Sequence, residues 1–318
     1  MKQLAIGIDI GGTNTVFGLV DKDGNCLAEN KISTTGFEDI NDYIRELSTS
    51  IKQLISSLKE EHEIIGIGIG APNGNYFSGT VENAPNLKWK GSLKFKDLFW
   101  EYFNYPVILT NDANAAAIGE MIYGAAKGMK DFVVVTLGTG VGSGFVSNGE
   151  LIYGNDGFAG ELGHTIIFPE GRQCGCGRKG CLETYASANG IVRTVNDMLR
   201  DSTEESLLRN YGEKEITSKM IYEAAKENDT VALEAFDFTA RVLGLSLANT
   251  VAITSPEAII LFGGLSKAGE FIYKPTKMYM EYYMLNNFKD KVKLIPSTLV
   301  NRDAAVLGAS ALIWKEAL

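Results

Sequence analysis

A chain of 318 residues has room for about two domains, and 45% hydrophobic with 22% charged residues is the balance of an ordinary globular protein. The net charge of -9 argues against a broad nucleic-acid-binding surface, although a few backbone amides can still hold an anion locally. No run reaches the ~18 consecutive apolar residues of a membrane-spanning helix, and Met1 and Lys2 lead straight into strand-like sequence with no cleavable leader. The expected location is cytoplasmic and reducing.

Residues 3–10 predict a first strand, 15–20 a second and 25–32 a third, with Asp23-Gly24 in the hairpin turn between the last two. Across 38–60, Ile40, Tyr43, Ile44, Leu47, Ile51, Leu54, Ile55 and Leu58 recur at helical spacing. Residues 64–70 predict a buried strand, 92–103 a helix, and 106–109 a strand that delivers Thr110-Asn111-Asp112 to an Ala-rich helix at 113–123. A similar order begins again near residue 131. Strands are expected at 131–137, 144–147 and 150–153, then a Cys-rich loop and helices at 187–200, 217–226 and 229–252. A strand at 257–262, a helix, a strand at 292–296 and a final helix at 303–317 follow, the last with Asn301 or Asp303 as candidate cap. The repeated order predicts an α/β fold of two similar domains with a cleft between them. The expected division is 1–112 and 113–302, with 303–318 packing back on the first domain.

His164, Cys174, Cys176 and Cys181 gather one of two histidines and three of four cysteines into one stretch. One His and three Cys match the tetrahedral N/S set of a closed structural zinc site. Cys174-Gly-Cys176 is not the Cys-x-x-Cys redox spacing, and the only other cysteine is Cys26, so a disulfide framework is disfavoured. Glu161 and Glu183 bracket this loop, and carboxylates there can accept bonds from vicinal hydroxyls or simply face solvent.

Asp9-Ile10-Gly11-Gly12-Thr13-Asn14 forms a tight turn between the first two strands. It reads either as a cradle of backbone amides for phosphate or as a plain glycine hairpin. Leu137-Gly138-Thr139-Gly140-Val141-Gly142 is the equivalent turn of the second unit. It leads into strand-like sequence and lacks the Lys-Ser/Thr pair of a Walker loop, so it is neither a dinucleotide fingerprint nor a Walker A motif. Two such turns in corresponding places suit a polyphosphate. Gly263-Gly264 can give room for a flat base or can be a strand-to-helix turn. Asn111-Asp112 can supply a helix N-cap or, at a strand's carboxyl end, a proton acceptor.

Taken together, these segments resemble the ROK family of sugar kinases, within the actin-like ATPase superfamily of ribonuclease H-like domains. The resemblance covers nearly the whole chain and includes Ala84-Pro85-Asn86-Leu87 and Gly160-Glu161-Leu162-Gly163-His164. It implies an ATP-dependent hexokinase with Asp112 as general base for a sugar 6-hydroxyl, and Asn111 with Asp112 on its 3-, 4- and 6-hydroxyl side. Glu161, His164 and Glu183 would hold the 1- and 2-hydroxyls, with Asn86 and Gly79 lining the pocket. Gly11, Gly12, Thr13, Asn14, Thr139 and Gly140 would hold the ATP phosphates, Gly263 and Gly264 the nucleoside, and Asp9 would lie near Mg²⁺ through water. His164, Cys174, Cys176 and Cys181 would bind a structural Zn²⁺. Glucose is the favoured hexose, from the likeness of Gly79–Trp89 and the Cys loop to family glucokinases. The alternatives are an N-acetylglucosamine, N-acetylmannosamine, mannose or fructose kinase, or a non-catalytic sugar sensor or repressor. A homodimer is implied, with Tyr279, Tyr282, Tyr283 and Met284 either at its surface or packed inside. Ser143 and Leu265 stand where the family commonly has glycine.

Overall fold

The computed structural model describes residues 1–299 and 304–317, so the candidate caps Asn301 and Asp303 lie outside the described residues. The first part of the chain forms β1 (Lys2–Ile10), β2 (Asn14–Val20), β3 (Cys26–Ser33), α1 (Ile40–Ser57) and β4 (His62–Gly70). Three short strands follow, β5 (Gly74–Asn75), β6 (Thr80–Glu82) and β7 (Ser92–Leu93), then α2 (Phe95–Trp100), β8 (Val107–Thr110) and α3 (Asp112–Tyr123). Next come β9 (Phe132–Leu137), β10 (Val141–Ser147), β11 (Glu150–Leu151), α4 (Glu183–Ala186), α5 (Ala188–Asp201), α6 (Ser218–Lys226) and α7 (Thr230–Thr254). The chain closes with β12 (Ala258–Phe262), α8 (Glu270–Tyr283), β13 (Lys293–Pro296) and α9 (Ala304–Ala317).

Two five-stranded sheets share one topology. The first runs β3-β2-β1-β4-β8 and the second β11-β10-β9-β12-β13, so each has the pattern 3-2-1-4-5 in order of appearance. In the first sheet β1 pairs antiparallel with β2 and parallel with β4, which pairs parallel with β8. In the second, β12 runs parallel to both β9 and β13. The chain divides into unit 1 (Met1–Met129, Gly144–Gly160 and Ser297–Leu318) and unit 2 (Lys130–Ser143 and Glu161–Pro296).

In unit 1 the two faces of the sheet are written in alternating residues, as strand geometry requires. Leu4, Ile6, Ile8 and Ile10 of β1 and Ile67 and Ile69 of β4 join Tyr43, Leu47 and Ile51 of α1 and Phe95 and Phe99 of α2 in one core. The opposite face carries Ala5, Gly7 and Asp9 beside Gly66, Gly68 and Gly70. A Cβ at Gly7 would run into the carbonyl of Val306, and one at Gly68 into that of Ala309. These glycines therefore let the backbone of α9 lie directly on the sheet.

Helix α3 belongs to unit 1, although the sequence placed the break just before it. The reason is a second glycine contact. A Cβ on Gly119 would lie 2.8 Å from Gly308 Cα, and one on Gly308 2.8 Å from the Ala115 carbonyl. α3 and α9 thus pack backbone to backbone. The helix expected over 92–103 is instead β7 followed by the short α2, and the small β5-β6-β7 sheet was not anticipated. The helix expected from 187 is preceded by α4, and Ser187 separates the two by accepting the Gly190 N–H on its Oγ. Met284 is buried at 6% exposure, whereas Tyr282 is 75% exposed.

Candidate active site

The parallel strands of unit 1 bring Asp9, Gly70 and Thr110 level at their carboxyl ends. Ligands of such sheets bind just outside these ends. Immediately after Thr110, Asn111 takes the N-cap of α3, its Oδ1 accepting the Asn114 N–H at 3.0 Å. The capping role therefore falls to Asn111. Asp112, in the first turn, accepts the Ala113 N–H at 2.8 Å. Gly70 lies between the two acids: a Cβ there would be 3.7 Å from Asp112 Cα and 3.9 Å from Asp9 Oδ1.

Burial, followed by the negative charge of Asp112, pushes the Asp9 carboxyl up to about 7. The surrounding protein also raises the Asp112 carboxyl, against the opposing Ala113 N–H. Solvent still reaches the Asp112 side chain, so its desolvation is partial.

Gly11 closes the first turn by donating its N–H to the Asn14 carbonyl at 3.0 Å. A Cβ on Gly12 would lie 2.8 Å from the Asn86 carbonyl oxygen, so Asn86 packs directly on this turn. Thr13 and Asn14 are exposed. Gly79, at φ +66°, donates to the Asn75 carbonyl at 3.0 Å and accepts from the Lys96 N–H at 3.1 Å. Its close neighbours are on β5 and α2 rather than at the two acids.

In unit 2 the Gly138 N–H donates to the Gly140 carbonyl at 3.1 Å, and the Gly138 carbonyl accepts the Ala188 N–H at 2.8 Å. Gly263, at φ +102°, packs on the end of β9, where a Cβ would lie 2.8 Å from the Leu137 carbonyl oxygen. Thr139 and Gly264 are exposed. The two glycine segments of this unit therefore meet at the carboxyl ends of β9 and β12. Glu161 is exposed and precedes a single helical turn, Leu162–His164, that Ser143 anchors by accepting the Leu162 N–H on its Oγ at 3.2 Å.

The ligand atoms of His164, Cys174, Cys176 and Cys181 all lie within 4.8 Å of one another. Cys174 Sγ is 3.7 Å from His164 Nδ1, and Cys176 Sγ is 3.6 Å from Cys181 Sγ. A tetrahedral ion with ~2.3 Å bonds to sulfur and ~2.0 Å to nitrogen sets its ligands about 3.5–3.8 Å apart. The residues thus fit a tetrahedral metal, with Nδ1 as the ring nitrogen turned toward the sulfurs. Gly177 and Gly180, at φ +89° and +76°, allow the tight turns that aim the thiols inward.

A protein-family model, that of the ROK family, matches residues 5–316. The chain belongs to the ROK family. It is 37% identical over 315 residues to a glucokinase of Halalkalibacterium halodurans, covering 98% of this chain and 95% of the relative. A crystal structure of a ROK family glucokinase from Streptomyces griseus, in complex with glucose and AMPPNP, superposes with a TM-score of 0.80 at 33% identity, covering 97% of this chain and 98% of that one. A xylose repressor of Caldicellulosiruptor bescii is 33% identical over 98% of this chain and 78% of its own length.

One anchor of the Cys loop in this ROK protein escaped the sequence reading. Arg172 donates to the Thr184 carbonyl at 2.9 Å, the Gly190 carbonyl at 3.2 Å and Thr194 Oγ1 at 3.0 Å, and pairs with Asp197 at 2.9 Å. Its guanidinium lies 4.7 Å from the centre of the Tyr185 ring. The only signal was an arginine two residues before Cys174, because its partners are 12 to 25 residues away on other elements.

Proposed function

We propose that this ROK protein is an ATP-dependent glucokinase that transfers the γ-phosphoryl group to the 6-hydroxyl of glucose. The observation that carries the reading is the match to glucokinases over nearly the full length of both chains. In the reaction the bond from O6 to γ-phosphorus forms as the bond from phosphorus to the ADP oxygen breaks, and the hydroxyl proton passes to Asp112. The transition state is loose, so positioning and electrostatics dominate. A carboxylate whose proton affinity is raised by its surroundings, as that of Asp112 is, is a better base than a free Asp.

In this reading Asn111, Asp112, Asn86 and Gly79 contact one side of the sugar and Glu161, His164 and Glu183 the other. Gly11, Gly12, Thr13, Asn14, Thr139 and Gly140 hold the phosphates, with Gly263 and Gly264 along the nucleoside. Asp9 would lie near Mg²⁺, which when bound would neutralise phosphate charge. Two neighbouring carboxyls, Asp9 and Asp112, both raised by the surrounding protein, suit a site built to receive a cation. His164, Cys174, Cys176 and Cys181 hold Zn²⁺. Four protein ligands leave no open position, so that ion is structural. A cytoplasmic homodimer is part of the same proposal, with the exposed Tyr282 of α8 as a candidate contact.

A coupled ADP-release assay with MgATP tests it against glucose, N-acetylglucosamine, N-acetylmannosamine, mannose and fructose. Glucose is expected to give the highest kcat/KM. Preference for an acetamido sugar would reject glucose and keep the mechanism. Binding without turnover for all five would reject the kinase reading in favour of a sensor.

A further inference from the structure

Asn75 holds together two stretches of unit 1 that lie 81 residues apart in sequence. It is buried, at 5% exposure. Its carbonyl accepts the Gly79 N–H at 3.0 Å, closing the turn between β5 and β6. Its side-chain Oδ1 accepts the Phe77 and Ser78 N–H groups of the same turn at 3.0 and 3.3 Å. Its Nδ2 donates to the Asp156 carbonyl at 2.7 Å, and Glu82 Oε1 lies 3.5 Å from the same nitrogen. Donors facing one end of the amide and an acceptor facing the other fix its orientation. The partner segment is a closed loop, in which the Ala159 N–H donates to the Tyr153 carbonyl at 3.0 Å. Gly157 lets this loop come close, since a Cβ there would lie 2.6 Å from Asn75 Oδ1. Beside the contact Tyr153 stacks on Tyr76 with ring centres 4.1 Å apart, and the Phe77 ring meets Tyr153 edge-on at 5.9 Å.

We infer that Asn75 is a positioning residue for the sugar, which clasps the 153–159 loop to the turn that carries Gly79 and so sets the course of the chain into Glu161. The inference rests on the reading of Gly79 and Glu161 as sugar contacts. Only Gly160, the last residue of this stretch of unit 1, separates the loop from Glu161. A loop that has come undone must dock again before sugar binds, and apparent affinity falls with the fraction of protein that is docked. The amide matters because an aspartate here keeps the acceptor for the turn and loses the donor for the loop. A carboxylate at this place would face the Asp156 carbonyl and the Glu82 carboxylate, and both favour its protonated form. The Asp156 carboxylate is turned to the Phe158 N–H, which it accepts at 3.3 Å. Once protonated, an aspartic acid at position 75 again offers a donor to the Asp156 carbonyl.

The test uses the full-length, zinc-loaded protein and titration calorimetry. At pH 8, Asn75→Asp is expected to bind glucose about tenfold more weakly than the unsubstituted protein and MgAMPPNP equally well. The glucose gap is expected to narrow at pH 5.5, as the introduced carboxyl gains its proton, whereas the gap for Asn75→Ala stays the same at both pH values. Unchanged glucose affinity in Asn75→Asp, an equal loss of glucose and nucleotide affinity, or a gap that does not respond to pH overturns the inference. Hydrogen exchange of the unsubstituted protein gives an arm that stands even where the variants fail to fold. Glucose is expected to slow exchange across 153–159, and glucose that binds without doing so overturns the role of the loop. An unsubstituted protein that binds none of the five hexoses rejects the sugar reading alone. Exchange over 153–159 at pH 8 then decides the clasp: faster exchange in Asn75→Asp keeps it, and equal exchange removes it.

Discussion

Asp9→Asn is expected to stabilise the protein at neutral and alkaline pH while impairing its chemistry. The Asp9 carboxyl is raised from 3.8 to about 7, first by burial and then by Asp112. At about 1.4 kcal/mol per unit the full shift corresponds to roughly 4 kcal/mol. Asp9 is only half-buried, so solvent takes up part of it, and roughly 2–4 kcal/mol is expected. A carboxyl with a raised pKa in the fold contributes nothing adverse below pH 3.8. Its cost grows as pH climbs from there toward 7 and is fully present above 7. Asparagine carries no charge and escapes that cost. The assay is thermal unfolding from pH 4 to pH 8 in magnesium-free, zinc-replete buffer. At roughly 2–4 °C per kcal/mol for a domain of this size, the variant should melt about 4–16 °C higher at pH 8 and close to the parent at pH 4. Added Mg²⁺ should raise the parent and leave the variant unchanged. A variant that melts at or below the parent at pH 8, or a gap independent of pH, refutes the electrostatic argument.

Asp112→Asn should keep glucose affinity within a few-fold by calorimetry and lower turnover by about 10²–10⁴-fold; near-normal turnover removes Asp112 from the base role. Cys176→Ala should lose the metal, read by elemental analysis, and weaken sugar binding, since the cluster positions His164 and Glu183 together; a metal-free variant with unchanged sugar affinity contradicts this. Gly68→Ala should destabilise by about 1–3 kcal/mol in denaturant titration, the usual cost of overpacking, because its methyl would meet the Ala309 carbonyl backbone. An unaltered midpoint would mean that α9 can shift off the sheet without cost.

Much of this was legible because the signals are local and periodic. The alternating Ile and Gly of 64–70 define one strand with two unlike faces, and the doubled order of elements marks two units of the same topology. The Cys/His cluster was readable from residue types alone, since few other arrangements suit three thiols and an imidazole. What stayed hidden depends on distant partners. The β5-β6-β7 strands of two or three residues are too short for alternation to register. The placement of α3 turns on a glycine contact between positions 119 and 308. Glu183 could be chosen as a binding carboxylate from its place beside the loop, yet nothing in the sequence told that Gly140 lies against its second oxygen.

The glycine face that receives α9 also sets an order of events during synthesis. Unit 1 is built from the first 129 residues, a returning segment and the last part of the chain, with nearly all of unit 2 inserted between. Until Ala304–Ala317 leave the ribosome, Gly7 and Gly68 have no helix backbone to cover them, and Gly66 lacks the Ile313 side chain that packs on it. Unit 2 can condense as its residues emerge, whereas unit 1 must close a loop spanning nearly the whole chain, the kind of long-range pairing that slows folding and leaves sheet surface open to aggregation. The first strand made is thus among the last to be finished.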